Sequence, residues 1–313
     1  MKDYKKYYFG VDVGGTSIKI GMFGQNDQEE KKFLTQFSIT TTIFAKNAEK
    51  KLIEEIIESI EDFCEKKKIS KNKIAGIGFA IPGPVVNNIV LKAVNINWTK
   101  KYDIVSAVRK KFGKNINVDV LNDANAAALG EYKFYLKSRY DSVCFMTLGT
   151  GIGAGIIINS KLIEGITGTA GELGHVRVDF SKKALKCNCG NIGCLETVAS
   201  ANGIANIYKR LFGSKSKIGT KEIVKRAKNG DEKAMTTLEV SFDYLSQCIS
   251  TLINTYEPEV VLIGGGVSNG GKFIIDIIKK HLKEKVFMTK KLPILKIAKL
   301  KNKAGMYGVV ANL

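Results

Sequence analysis

Apolar residues alternate with polar or small ones through Tyr7-Tyr8-Phe9-Gly10-Val11-Asp12-Val13, stop at Gly14-Gly15-Thr16-Ser17, and resume through Ile18-Lys19-Ile20-Gly21-Met22-Phe23. A period of two on both sides of a glycine turn predicts a β-hairpin. The period then changes. Leu52, Ile53, Ile56, Ile57, Ile60, Phe63 and Cys64 recur at helical spacing, with Glu and Lys filling the positions between, and this predicts an amphipathic helix. A short apolar strand is expected over 74–81, stopped by Pro82-Gly83-Pro84. A helix around 101–112 and a strand at 116–121 follow. Asn122-Asp123 before an alanine run then marks another helix start.

From residue 142 the chain repeats its opening move. A strand at 142–147 runs into the glycine turn Leu148-Gly149-Thr150-Gly151-Ile152-Gly153, and a second strand covers 154–158. Strand, glycine turn, strand near the start of both halves predicts a duplicated α/β unit. A cysteine-rich loop spans 181–196, and helical segments fill roughly 201–255. A buried strand at 260–263 ends in Gly264-Gly265-Gly266. A helix at 271–284, a strand at 294–299 and a closing helix from Ala304 to Leu313 complete the pattern. With no low-complexity linker between the halves, two contiguous packed domains are expected.

The glycines carry the first chemistry. A glycine turn lets several backbone N–H groups approach one phosphate, and Asp12 just before the first turn is placed to hold Mg²⁺ directly or through water. The same Gly14-Gly15-Thr16 stretch also reads as a plain hairpin turn. It is neither a Walker loop, whose spacing is absent, nor a Rossmann fingerprint, since a strand and not a helix follows. Alternating glycines through Gly149-Thr150-Gly151-Ile152-Gly153-Ala154-Gly155 strip side chains from one strand face, as close approach by a ligand or another backbone requires. Gly265 and Gly266 end a buried strand where an adenosine can lie. Asp123 has two available roles, helix cap and general base for an attacking hydroxyl.

Composition narrows the class. The chain has 313 residues, 44% of them hydrophobic, enough to bury two domain cores. No apolar run is long enough to span a bilayer, and the N-terminal Met1-Lys2-Asp3-Tyr4-Lys5-Lys6 lacks a secretory core, so a cytoplasmic protein away from membranes is expected. The net charge of +19 comes from scattered lysines. Arginine, the favoured reader of phosphates and base edges, is scarce, so specific nucleic-acid binding is not expected. Cys64, Cys144 and Cys248 stand singly in apolar segments as small hydrophobes. Cys187, Cys189 and Cys194 cluster, which in a cytosolic chain points to a metal and not to disulfides.

These motifs together resemble a known family. Asp12-Val13-Gly14-Gly15-Thr16-Ser17-Ile18-Lys19 resembles the first phosphate motif of actin-like sugar kinases. Residues 148–175 resemble the long signature of the ROK family (repressors, open reading frames and kinases). Cys187-Asn188-Cys189-Gly190-Asn191-Ile192-Gly193-Cys194-Leu195-Glu196 resembles its C-x-C-G-x-x-G-C-x-E zinc motif, and Gly305-Met306-Tyr307-Gly308 also fits. The likeness runs from about residue 7 to the end of the sequence.

The resemblance implies an α/β protein of two actin-like (ribonuclease H-like) domains, each with a mixed sheet, and a cleft between them. The first domain would be 1–118, joined by the closing helix at about 301–313. The second would be 119–300, with a zinc loop at about 175–196. The implied activity is transfer of the γ-phosphoryl of ATP to the 6-hydroxyl of glucose. N-acetylmannosamine, N-acetylglucosamine and fructose are the alternative acceptors, and a sugar-responsive transcription regulator is the alternative outside catalysis. Only six residues precede the first expected strand, which favours a kinase over family repressors with their N-terminal helix-turn-helix.

By the same resemblance Asp123 is the catalytic base, and Gly83, Asn97, Asn122, Asp123, Glu172, His175 and Glu196 meet the sugar. Asp12, Gly14, Gly15, Thr16, Lys19, Thr150, Gly151, Gly265 and Gly266 serve ATP and Mg²⁺. His175 joins Cys187, Cys189 and Cys194 in a structural Zn²⁺ site, and the protein is a homodimer.

Overall fold

Why the opening residues form a hairpin is visible in their burial. In the computed structural model, which describes residues 4–213, 218–286 and 291–313, strand β1 (Lys6–Val13) buries Tyr7, Phe9, Val11 and Val13, and β2 (Ser17–Gln25) buries Ile18, Ile20 and Met22. The two pair antiparallel from Val13↔Ile18 to Lys6↔Gln25. Strand β3 (Lys31–Thr40) continues antiparallel along β2. Helix α1 (Ala48–Lys66) turns the predicted stripe of Leu52, Ile53, Ile56, Ile57 and Ile60 into the core. Strand β4 (Ile74–Ile81) lies parallel to β1. A small antiparallel sheet follows, made of β5 (Val85–Val86), β6 (Ile89–Val90) and β7 (Tyr102–Asp103).

Helix α2 (Ile104–Phe112) starts later than the expected 101 because Asp103 is its cap, accepting from Ser106 N at 2.9 Å. Strand β8 (Asn117–Asn122) is parallel to β4. Helix α3 (Asp123–Gly130) then passes into a single π turn at Glu131–Tyr135. The resulting sheet has the order β3-β2-β1-β4-β8.

The second half repeats this order with new residues. Strands β9 (Val143–Leu148), β10 (Ile152–Ile158) and β11 (Lys161–Ile163) are successive antiparallel neighbours. Helices α4 (Glu196–Ala199), α5 (Ala201–Phe212), α6 (Thr220–Lys228) and α7 (Glu232–Tyr256) follow. Residues 214–217, inside the stretch expected to be helical, lie outside the described residues, as do residues 1–3 of the N-terminal stretch and 287–290. Strand β12 (Val260–Gly264) is parallel to β9, α8 (Lys272–Lys285) crosses over, and β13 (Ile294–Ile297) is parallel to β12. The order β11-β10-β9-β12-β13 matches the first sheet position for position, two antiparallel neighbours followed by two parallel ones. The expected duplication is therefore present in topology.

The chain divides into two compact units. One is Met1–Lys137, described from residue 4, with Glu164–Ala170 and Asn302–Leu313; the other is Ser138–Ile163 with Gly171–Lys301. The boundary thus falls after residue 137 and not after 118. Residues 119–137 stay with the first unit because α3 packs on helix α9 (Ala304–Ala311) with almost no side chain between them. A Cβ on Gly308 would overlap the carbonyl of Ala126, and one on Gly130 would overlap that of Ala304. Residues 164–170, expected in the second domain, also belong to the first unit, where Gly168 lies against the carbonyl of Val85. Each unit has its own core: Val11, Ile20, Ile56, Ile77 and Trp98 in the first, Met146, Ile204, Phe242, Ile249 and Val261 in the second.

Candidate active site and metal centre

In the first unit the β1–β2 turn is braced from the end of β3. Thr41 Oγ1 donates to Gly14 O at 2.6 Å and Thr41 N donates to Thr16 O at 3.1 Å. A Cβ on Gly14 would stand 2.9 Å from Ser17 O, so glycine serves the turn there. At Gly15 it would make only an ordinary contact, with Asn95 O nearest at 3.8 Å, and Gly15 and Thr16 are both exposed. The pair therefore splits into one glycine that the turn requires and one where a side chain would fit. Asp12 pairs across the hairpin with Lys19, whose Nζ is 3.9 Å from Oδ2. Burial pushes the Asp12 carboxyl above its usual range and Lys19 only partly opposes this. A desolvated carboxylate with one distant amine is short of positive charge, which suits a divalent cation.

Asn122, not Asp123, caps α3. Its Oδ1 accepts from Ala124 N at 2.9 Å and Asn125 N at 3.1 Å, while Nδ2 donates to Gly83 O at 3.1 Å. Gly83 has φ 113°, and a Cβ there would overlap Lys92 O, so only glycine can present that carbonyl at low cost. Asp123 is the first helical residue and is exposed, with Oδ1 accepting from Ala124 N at 2.8 Å. Gly83, Asn122 and Asp123 are thus brought together. Asn97 sits in a different local frame: left-handed at φ 55°, it closes a short 3-10 turn and donates to Phe44 O at 2.8 Å.

The second unit holds the other predicted residues. Gly149 N donates to Gly151 O at 2.9 Å to form the β9–β10 turn, on which Thr150 is exposed. Gly265 has φ 78°, and a Cβ on it would stand 2.5 Å from the Leu148 backbone, so it lets β12 end beside this turn. Nothing lies within 4 Å of where a Cβ on Gly266 would be. Glu172 precedes the 3-10 turn Leu173–His175, and His175 N donates to Glu172 O at 3.0 Å. The predicted spacing of three does place the two side chains together, with His175 Nε2 and Glu172 Oε2 at 3.9 Å. The other ring nitrogen, Nδ1, is 3.6 Å from Cys187 Sγ.

The donor atoms of His175, Cys187, Cys189 and Cys194 all lie within 4.8 Å of one another. A tetrahedral zinc with Zn–S about 2.3 Å and Zn–N about 2.0–2.1 Å needs S···S edges of about 3.8 Å and S···N edges of about 3.6 Å. Cys189 Sγ and Cys194 Sγ are 3.7 Å apart, and the 3.6 Å between Cys187 Sγ and His175 Nδ1 matches the second edge. The residues fit the ion in chemistry, and these two edges fit it in length. The loop is a tight knuckle: Cys187 N donates to Asn191 O at 2.7 Å, Gly190 N to Cys187 O at 3.0 Å, and Gly190 and Gly193 take φ 98° and 81°.

Sequence reasoning missed what holds this loop in place. Asp179 has a side chain only 1% exposed, and it pairs with Arg210 of α5 at 2.9 Å. Burial pushes the Asp179 carboxyl up, but hydrogen bonds from Ser181 and the Arg210 guanidinium outweigh this and hold it below its usual range. The one available signal was the scarcity of arginine, with five in the chain. Because the folded carboxyl is depressed, its contribution to stability is complete above the ordinary carboxylate range and is lost as pH falls through and below that range. Melting curves of Arg210→Ala are expected to show reduced stability at neutral pH and a shallower loss on acidification than the parent. An unchanged acid limb would show that the pair does not set it.

The model of the ROK family matches residues 8–312. A glucokinase of Halalkalibacterium halodurans is 32% identical, over 97% of this chain and 93% of that protein. An N-acetyl-D-glucosamine kinase of Pasteurella multocida is 29% identical, over 97% and 98%. The crystal structure of a ROK family glucokinase from Streptomyces griseus, in complex with glucose and AMPPNP, superimposes with a TM-score of 0.73 at 30% identity, covering 97% of each chain. The two mixed sheets are those of the actin-like, ribonuclease H-like fold of these kinases. No described helix is long and apolar enough to cross a membrane. From residue 8 to residue 312, this chain belongs to the ROK family.

Proposed function

We propose that the protein is an ATP-dependent sugar kinase that transfers the γ-phosphoryl group to the 6-hydroxyl of glucose. The observation that carries this reading is the division of labour at the start of α3. Asn122 does the capping, and the exposed carboxylate of Asp123 stands at the first turn. Phosphoryl transfer asks little covalent chemistry of the protein; it needs positioning, charge neutralisation and a base near the attacking oxygen. Asp123 takes the proton of the sugar hydroxyl. Gly83 orients Asn122 through its carbonyl, and Asn122 and Asn97 are assigned to the sugar. Glu172, His175 and Glu196 are assigned to it as well, since carboxylates and imidazoles engage neighbouring hydroxyls in pairs.

Gly14, Gly15, Thr16 and Lys19 with Asp12, and Thr150, Gly151, Gly265 and Gly266, are assigned to ATP. Mg²⁺ at Asp12 would neutralise phosphate charge. Zn²⁺ held by His175, Cys187, Cys189 and Cys194 would be structural, with all four positions filled by protein. The same reading includes a cytoplasmic homodimer, as the family resemblance implies.

A second acceptor deserves a place because the N-acetyl-D-glucosamine kinase is nearly as similar as the glucokinase and covers as much of the chain. ADP release measured over glucose, N-acetylglucosamine, N-acetylmannosamine and fructose, with and without Mg²⁺, separates the readings. Glucose is expected to give the highest kcat/KM, only with Mg²⁺. A higher value for N-acetylglucosamine would replace the acceptor and keep the kinase. No turnover of any sugar, with DNA binding that persists at physiological salt, would favour a regulator.

A further inference from the structure

The strand that leaves the second glycine turn is held by a carboxylate. Ile152 N donates to Glu196 Oε2 at 3.0 Å, and the other oxygen, Oε1, is 4.0 Å from Cys187 Sγ. One side chain therefore spans from the thiol cluster to the turn. Gly151 is shaped to this: a Cβ there would overlap Glu196 Oε2. The alternating glycines were expected to admit a ligand or another backbone, but at 151 the space is taken by the chain's own carboxylate. Gly149 differs, since a Cβ there would meet nothing nearer than Gly151 O at 3.9 Å.

The backbone makes the connection stiff. Glu196 follows Cys194 by two residues, and Leu195 N donates to Val176 O at 2.9 Å, which joins the neighbours of Cys194 and His175. Thr197 N donates to Cys194 O at 3.0 Å. At the far end of α4, Ala201 N donates to Gly149 O at 2.8 Å. The segment that carries Glu196 is thus tied at one end to metal donors and at the other to the turn.

We propose that Glu196 is a positioning residue through which the metal centre sets the geometry of the β9–β10 turn, so that loss of the metal loosens that turn's hold on an anionic phosphate. The proposal rests on the reading that the turn serves ATP, and it gives Glu196 a task beyond touching sugar. Fixing Cys194 and His175 fixes the backbone that carries Glu196. The carboxylate then fixes Ile152 N through a charge-assisted bond, the stronger kind of hydrogen bond.

Hydrogen exchange at the Ile152 amide, followed by NMR in the zinc-loaded protein, tests this without any catalytic readout. Exchange is expected to quicken about tenfold in Glu196→Ala, Gly151→Ala and the chelated parent, the loss of roughly one such bond. Glu196→Gln keeps an oxygen acceptor and stays near the parent. By calorimetry, a non-hydrolysable ATP analogue with Mg²⁺ should bind about tenfold more weakly to each alanine variant. The double variant should be no weaker than Glu196→Ala alone, because the two act on one contact. Unchanged Ile152 exchange in a fully chelated, folded parent, or additive losses in the double variant, would overturn the proposal. If chelation unfolds the protein, Cys189→Ser, which weakens the hold on zinc, takes the chelated parent's place in the same exchange measurement, and unchanged Ile152 exchange there would again overturn the proposal. If the parent binds no nucleotide, the kinase reading falls while the exchange data still decide the coupling.

Discussion

Asp123→Asn is expected to lower kcat by about 10²–10⁴-fold, the usual worth of a positioned general base, while the protein stays folded and still binds sugar. The structure makes this a clean substitution. Asparagine keeps an oxygen that can accept from Ala124 N, as Asp123 Oδ1 does now, and the cap of α3 belongs to its neighbour. The negative charge and the capacity to take a proton are removed. The control is Asn122→Ala, which removes the cap and the tie to Gly83 O; it should cost about 1 kcal/mol of stability, with a smaller fall in kcat. Initial rates and calorimetric sugar binding on both variants check the pair. Near-parental kcat in Asp123→Asn would move the base elsewhere.

Cys194→Ser is expected to strip the metal centre and with it the sugar affinity. The parent should carry about one zinc per chain by elemental analysis, and the variant almost none. His175 has one ring nitrogen toward the thiols and the other toward Glu172, so an unligated ring loses the orientation that presents both side chains. Two charged hydrogen bonds to sugar hydroxyls, each worth about 1.5–3 kcal/mol, correspond to a loss in sugar affinity beyond about 100-fold. The whole fold should survive. Structural zinc is worth about 10–16 kcal/mol in small peptides that have no other core, whereas this unit has a large one. A metal-free variant with parental sugar affinity would refute the assignment.

Local patterns carried far in this chain, and contacts between distant residues did not. The β1–β2 hairpin, α1 and the β9–β10 hairpin were legible because their periodicity is also their burial. Strand β3 escaped notice as an edge strand, with exposed or half-exposed residues on both faces. The domain boundary was misplaced because α3 is held by glycine contacts with a helix about 180 residues later, which no window along the chain registers. At the start of α3, Asn122 and Asp123 are both good caps, and only the observed geometry assigns the task. That His175, Cys187, Cys189 and Cys194 would gather was legible from a cluster and a family motif. The partners that brace them were not: Asp179 finds Arg210 31 residues away, and Glu196 finds Ile152 44 residues away.

The return of α9 to the first unit also has a bearing on synthesis. During translation, β1 through α3 emerge long before the helix that covers them, and the entire second unit is made in between. Met306, Val309 and Val310 are fully buried once in place. Until they leave the ribosome, the apolar surface that awaits them is exposed on the nascent chain, a condition that invites chaperones or aggregation. The second unit, contiguous except for one short excursion, can mature first, so the half made earliest is the half finished last.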